Sequence, residues 1–280
     1  MSIEQRTVKA TVVLPTTAGR GLILPLSVQS ILQQTLQDFE LFIMGDGVDE
    51  PTRKVIHGLL AKDKRIRFFD HPKHERRGEP NRHAALQEAK GEVVSYLCDR
   101  DLMLPFHLER TYEQLQVYNI VSHSCLWVKE DRTLAHSFPQ QPSERRPGGN
   151  NKLSCVGHRL DFYHQLPFGW RTTPEEYATD SYMWQQFYAH DHCQPFNSSF
   201  PTILYFKRPK AFSIEARKEE LLWGLELTRQ PFDAIREKAL LNWAGSRRKE
   251  KEHLIGQIKS LQSELEEMKK KQSARRFKWF

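Results

Sequence analysis

Three carboxylates in this chain of 280 residues stand where a buried strand has just ended. Asp46 follows the apolar run 39–44 (FELFIM) within Gly45-Asp46-Gly47. Asp99 and Asp101 follow 93–98 (VVSYLC) within Asp99-Arg100-Asp101. An ionised carboxylate placed there has no home in an apolar core and must face solvent or a ligand. Such a set suits a phosphorylated nucleoside. One carboxylate accepts hydrogen bonds from a base N–H or from ribose hydroxyls. Another holds a divalent cation across the pyrophosphate and neutralises charge on a departing phosphate. A D-x-D alone arises by chance in many proteins, so its weight comes from the strand before it. His190-Asp191-His192-Cys193 has the residue types of a metal cluster, but ligands two residues apart on a loop are a common accident.

The elements that must position these groups alternate along the first hundred residues. Residues 7–14 (TVKATVVL), 39–44, 66–69 (IRFF) and 93–98 read as strands, short and apolar enough to be covered on both faces. Between them, 22–35, 52–61 and 80–90 carry helical periodicity, with Leu24, Val28, Ile31 and Leu32 on one face of the first. This alternation predicts βαβ units and a mostly parallel sheet, whose strands present their carboxyl ends along one ligand-binding edge. Further on, 105–118 reads as a helix, 120–128 as a strand, and 140–151 (QQPSERRPGGNN) as a loop, either a lid or a plain surface excursion. Beyond Pro209 the pattern is helical, over 213–228 and 231–244, the latter opened by a proline.

Leu254, Ile258, Leu261, Leu265 and Met268 recur at spacings of four and three, the stripe of a short coiled coil or of one amphipathic helix folded back on the body. The net charge of +7 is concentrated there: residues 247–280 hold eleven Lys/Arg against five Glu. Three segments follow, 1–210, 211–246 and 247–280. The end of the last, Lys269-Lys270-Lys271 and Arg275-Arg276-Phe277-Lys278-Trp279-Phe280, suits an anionic membrane surface or a solvated end. No nucleic-acid module accompanies the patch. Four scattered cysteines form no C-x-x-C pair and fit a reducing compartment. The opening MSIEQRTVK has no apolar leader, and no run is long and apolar enough to span a bilayer. A cytoplasmic protein is expected, with a peripheral position at the inner membrane face as its extension.

Several ordered motifs together resemble the family 2 inverting glycosyltransferases of bacterial type: Val13-Leu14-Pro15-Thr16-Thr17, Ser30-Ile31-Leu32-Gln33-Gln34-Thr35, the stretch from Asp38 to Gly47, and the stretch from Ala89 to Asp101 closed by Pro105. The resemblance runs from about Thr7 to Tyr205. It implies an α/β GT-A fold, here with a helical C-terminal extension. It also implies a nucleotide-sugar donor, a divalent cation (Mn²⁺ or Mg²⁺), and a glycan or lipid-linked acceptor. Pro15, Thr16, Thr17 and Asp46 would hold the nucleoside. Asn81 and Arg82 would lie by the phosphates, and Asp99 and Asp101 would hold the metal. Asp180, in 175–187 (EEYATDSYMWQQF), matches the general base that deprotonates the acceptor hydroxyl. The plainer role for Asp180 is a helix N-cap. His158 would line the acceptor side or simply pack, and Trp170 and Trp184 would stack on a sugar or belong to the core.

Two positions depart from the family pattern. Gly45 stands where a second acidic residue is common. Arg100 falls where the metal-binding carboxylate is expected when the segment is registered on Pro105. Either Asp101 takes the metal, or Arg100 itself neutralises the diphosphate and makes the metal dispensable, or turnover is lost. The first two lead to an active glycosyltransferase of surface polysaccharide or glycoconjugate synthesis. The third leads to a binding scaffold that self-associates through its last helix. A nucleotidyltransferase would need a glycine-rich basic segment after the first strand to grip a triphosphate, and none of that kind is read here.

Overall fold

The computed structural model describes residues 8–143, 148–149, 151–209 and 211–242, with isolated residues as far as 259. Leu254, Ile258, Leu261, Leu265, Met268 and the basic-aromatic end lie outside the described residues.

The expected alternation is present: β1 (Val8–Thr17), α1 (Leu24–Leu32), β2 (Phe39–Asp46), α2 (Glu50–Leu60), β3 (Ile66–His71), α3 (Glu79–Leu86) and β4 (Gly91–Tyr96). Prolines fix the first turns of all three helices, where a missing N–H costs nothing. Asp49 caps α2 by accepting from Thr52 N at 3.2 Å. β3, β2, β1 and β4 lie side by side and parallel. Thr17 pairs with Asp46, and Asp46 with His71, so the carboxyl ends of β1, β2 and β3 form one level edge.

The second half completes a mixed sheet in the order β3-β2-β1-β4-β8-β6-β9-β5, with β7 beside β6. Here β5 is Leu102–Met103, α4 His107–Leu115, β6 Ile120–Val128, β7 Leu134–Ser137, β8 Val156–Arg159, α5 Leu160–Tyr163, α6 Thr179–Tyr188 and β9 Pro195–Tyr205. A 3₁₀ turn, Leu153–Cys155, precedes β8. Of these strands, only β6 has the long apolar run that sequence periodicity detects. β5, β7 and β8 are two to four residues long and exist because longer neighbours pair with them.

Aliphatic side chains of β1, β2, α1 and α4 fill one face of the sheet. The other face is aromatic, built from Tyr96, Phe162, Tyr163, Trp170, Trp184 and Phe187. α7 (Ile214–Thr228), capped by Ser213 through Ala216 N at 3.1 Å, packs Leu221 and Leu225 against Ile23, Leu102 and Phe206. Residues 232–242 are helical and add Ile235 and Ala239 to that cluster. No described helix is long and apolar enough to cross a membrane.

Candidate active site

The carboxyl edge of the parallel strands opens into two adjoining clefts of about 230 and 240 Å³. Pro15, Thr16 and Thr17 at the end of β1, Asp46 at the end of β2, and Asp99 just past β4 line the first cleft together. Thr16 donates its hydroxyl to Asp99 Oδ2 at 2.9 Å, and Thr17 donates to the Asp46 carbonyl at 2.8 Å. These two bonds fasten the tips of three strands to one another. The Asp46 carboxylate accepts from His74 N at 2.6 Å and pairs with Lys73. Gly78 precedes α3 with φ +67°. That left-handed backbone favours glycine, although a side chain there would meet Asp46 and Asn81 only at ordinary contact distance. Asn81, in the first turn of α3, is half-buried and is not among the residues lining either cleft.

Cations dominate the first cleft. Arg20, Lys73, Arg77, Arg82 and Arg100 face Asp46, Asp99 and Asp180 there, a formal excess of two positive charges. Arg82 is 3% exposed. It donates Nη2 to the Arg77 carbonyl at 2.6 Å and lies 4.5 Å from the centre of the Trp170 ring. Its Nε and Nη1, and Nε of Arg100, are buried without an acceptor. Arg20 Nε stands 3.5 Å from Asp99 Oδ2. Burial pushes the Asp99 carboxyl up, with Arg20 opposing it. Burial likewise pushes the Cys98 thiol up to about 12, so it is a neutral wall.

Asp180 lies in the first turn of α6 and borders both clefts. It does not cap the helix: Ala178 occupies the cap position without a side-chain bond. Asp180 Oδ2 instead accepts from Leu153 N at 3.2 Å, which ties α6 to the 3₁₀ turn. Burial raises its pKa while Arg82 and Arg77 pull it down. A carboxylate moved toward neutrality at a junction of two clefts can accept a proton from a group in one while facing a reacting centre in the other. Gly148 lets the loop approach this helix, since a side chain there would collide with the Ser181 carbonyl at 1.8 Å.

Packing corrects the expectation for Asp101 and favours the plainer of the alternatives for the tryptophans and histidines. Asp101 is fully buried and does not line the cleft. Its Oδ2 accepts from Ser154 Oγ at 2.6 Å and its Oδ1 from Phe206 N at 3.0 Å, so it closes the sheet beyond β9 instead of holding a metal with Asp99. Trp170 and Trp184 are 2% and 0% exposed, with ring centres 5.3 Å apart and planes at 75°. Their N–H groups donate to Tyr96 Oη and the Asn151 carbonyl, so they form core and offer no face to a sugar. His158 is buried with Nε2 at 2.8 Å from Tyr96 Oη. Burial lowers its pKa to about 4, and it is a neutral packing residue. His190 and His192 lie on the surface by α6, away from the two clefts.

A divalent cation fits these residues poorly. Asp99 is engaged by Thr16 and Arg20, Asp46 by Lys73 and His74 N, and Asp101 is sealed. Among the described residues no group of three or more His, Cys, Asp or Glu is arranged to hold a metal ion.

Residues 11–198 match the family described as Glycosyl transferase family 2. The chain belongs to that family. Among curated relatives of this family 2 chain, the GalNAc(5)-diNAcBac-PP-undecaprenol beta-1,3-glucosyltransferase of Campylobacter jejuni is 29% identical over 49% of this chain and 44% of its own. The glycosyltransferase EpsJ of Bacillus subtilis is 20% identical over 69% of this chain and 51% of its own. The chain thus spans about half the length of these relatives. Among solved structures, S. aureus TarS in complex with UDP-GlcNAc has a TM-score of 0.56 at 14% identity, over 82% of this chain and 70% of its own. The mannosyltransferase PcManGT of Pyrobaculum calidifontis, in complex with GDP-Man and Mn²⁺, has 0.52 at 15%, over 81% of this chain and 66% of its own. These likenesses show the fold, the GT-A arrangement the resemblance implies.

Arg20, Lys73 and Arg77 are cleft residues that motif reading passed over. Arg20 sits between Gly19 and Gly21 directly after β1, and the other two belong to the basic run 73–77 between β3 and α3. Their signal was a cation in the loop at a strand's carboxyl end, the same criterion that singled out the aspartates.

Proposed function

We propose that this chain is an inverting glycosyltransferase that moves a sugar from a nucleoside-diphosphate donor to an acceptor hydroxyl. The observation that carries the reading is Asp180, shared by two clefts, one of which combines the strand-tip residues with five cations. In this scheme the donor occupies the first cleft, with Pro15, Thr16, Thr17 and Asp46 at the nucleoside and Arg82, Arg100 and Asn81 toward the diphosphate. The acceptor enters the second cleft. Asp180 takes the proton from the acceptor hydroxyl, whose oxygen forms the new bond to the anomeric carbon. The opposite bond to the diphosphate oxygen breaks, and the electron pair leaves with the diphosphate. Attack from the far side inverts the anomeric centre.

The second cleft is itself basic, with Arg76, Arg77, Arg100 and Lys152 against Asp180. That supports an acceptor carrying phosphate, such as a lipid-diphosphate-linked glycan, and a role in surface polysaccharide or glycoconjugate synthesis. The name of the Campylobacter relative describes an acceptor of this chemistry. The basic tail would place the protein at an anionic inner membrane surface, and a homo-oligomer would form through the 254–268 stripe.

The test is release of nucleoside diphosphate from a panel of nucleotide sugars, with polyprenyl-diphosphate-linked glycans as acceptors. Asp180→Asn should lower kcat by about 10²–10⁴-fold while nucleotide affinity is kept. Full activity in that variant excludes Asp180 as the base. Absence of turnover with intact nucleotide binding in the wild type favours the scaffold reading, whose structural support is the missing second open carboxylate beside Asp99.

A further inference from the structure

We propose that Arg82 and Arg100 hold the donor's diphosphate directly, in the place a divalent cation would take, so that nucleotide binding by this chain does not require metal. The proposal rests on the donor reading of the first cleft and adds the means by which charge on the leaving group is met.

Three buried guanidinium N–H groups of this cleft, Nε and Nη1 of Arg82 and Nε of Arg100, have no acceptor. A buried donor left unpaired carries its full desolvation penalty. Two such side chains on the wall of one cleft therefore mark the seat of an anion rich in acceptor oxygens. Arg82 cannot swing away to water: Trp170 lies against its face and the Arg77 carbonyl holds Nη2. The guanidinium fork is thereby aimed before a ligand arrives. A planar fork with fixed donors matches phosphate oxygens better than a mobile ammonium does.

The anionic side of the site points the same way. A divalent cation beside a diphosphate draws on one or two carboxylates, and here Asp99 Oδ2 is already met by Thr16 and Arg20. Asp101 spends both oxygens on Ser154 and Phe206. The cleft carries an excess of two cations before any ligand enters. A divalent cation would raise that excess, whereas a nucleoside diphosphate offsets it.

The full chain is titrated with UDP, GDP, CDP and dTDP by calorimetry, in EDTA and again in excess Mn²⁺. At least one nucleotide should bind in EDTA with an affinity within about threefold of that in Mn²⁺, a difference below 1 kcal/mol. Arg100→Gln should lower that affinity by about tenfold or more, and Arg100→Lys should recover part of it. The matching nucleoside without phosphates should bind wild type and Arg100→Gln alike, which separates a lost phosphate contact from a damaged fold. Binding that disappears in EDTA and returns with Mn²⁺ overturns the proposal while the donor reading stands. Equal nucleotide affinity in wild type and Arg100→Gln also overturns it. Absence of binding in both conditions overturns the donor reading and the proposal together.

Discussion

Asp101→Asn separates a buried structural carboxylate from a metal ligand. In the fold, burial pushes the Asp101 carboxyl up to about 6 against Arg100 and the Ser154 hydroxyl, which favour the ionised form. Its ordinary value is 3.8. The folded state therefore binds this proton more tightly than the unfolded chain does. That contribution to stability is complete below about pH 4 and is lost as pH rises through about 6. Above pH 7 the ionised group costs the fold about 3 kcal/mol, for a displacement of about two units. At pH 5 the cost is about half as large. Asparagine keeps an acceptor for Phe206 N and offers a donor to Ser154 Oγ, which can turn to accept. The variant should thus be more stable than wild type above pH 7 by up to about 3 kcal/mol, or about 2–4 °C in Tm per kcal/mol. Its advantage should shrink by about half at pH 5 in urea unfolding. Nucleotide affinity should be unchanged. Loss of stability above pH 7, or a tenfold loss of nucleotide affinity, would refute the placement of Asp101 as a sheet-closing group.

Two further perturbations examine the aromatic face beneath the site. Trp184→Ala empties a fully buried site among Tyr96, His158, Trp170 and Phe187 and should cost about 3–5 kcal/mol in chemical denaturation. Near wild-type stability with a raised acceptor KM would instead mark Trp184 as a sugar platform. His158→Gln tests buried neutrality. Because burial lowers the His158 pKa from 6.5 to about 4, its stabilisation is present above pH 6.5 and is lost as pH falls through about 4. Between pH 7 and 5 wild type should lose about 2 kcal/mol more stability than the variant. Parallel pH profiles would show that His158 titrates normally.

The parallel half of the fold was legible because each strand is an apolar run covered on both faces and each helix carries a 3.6-residue stripe. The strands from β5 onward were not, except β6. The short lengths of β5, β7 and β8 and the polar residues of β9, such as Asn197, reflect pairing with distant neighbours, which no local period encodes. Asp46 and Asp99 were legible as cleft residues because they follow the strand tips, whereas Arg82, within α3, was expected there only through the family resemblance. Asp101 was misplaced for the same reason. Two residues after Asp99 the chain has already turned under the edge toward β5, so adjacency in sequence gives opposite faces: Asp99 into the cleft, Asp101 into the core. For Trp170 and Trp184 the sequence left a sugar platform and a core role both open, and it is burial, with Tyr96 and Asn151 accepting their indole N–H groups, that makes them core.

The cleft at the carboxyl ends of β1, β2 and β4 should bind a nucleoside diphosphate. A thermal-shift titration of the full chain with UDP, GDP, CDP and dTDP tests it most directly. One of the four should raise Tm in a saturable way, since a ligand at 100 times its Kd adds about 2.7 kcal/mol of stability. No shift with any of them at about millimolar nucleotide would show that this cleft is not a nucleotide site.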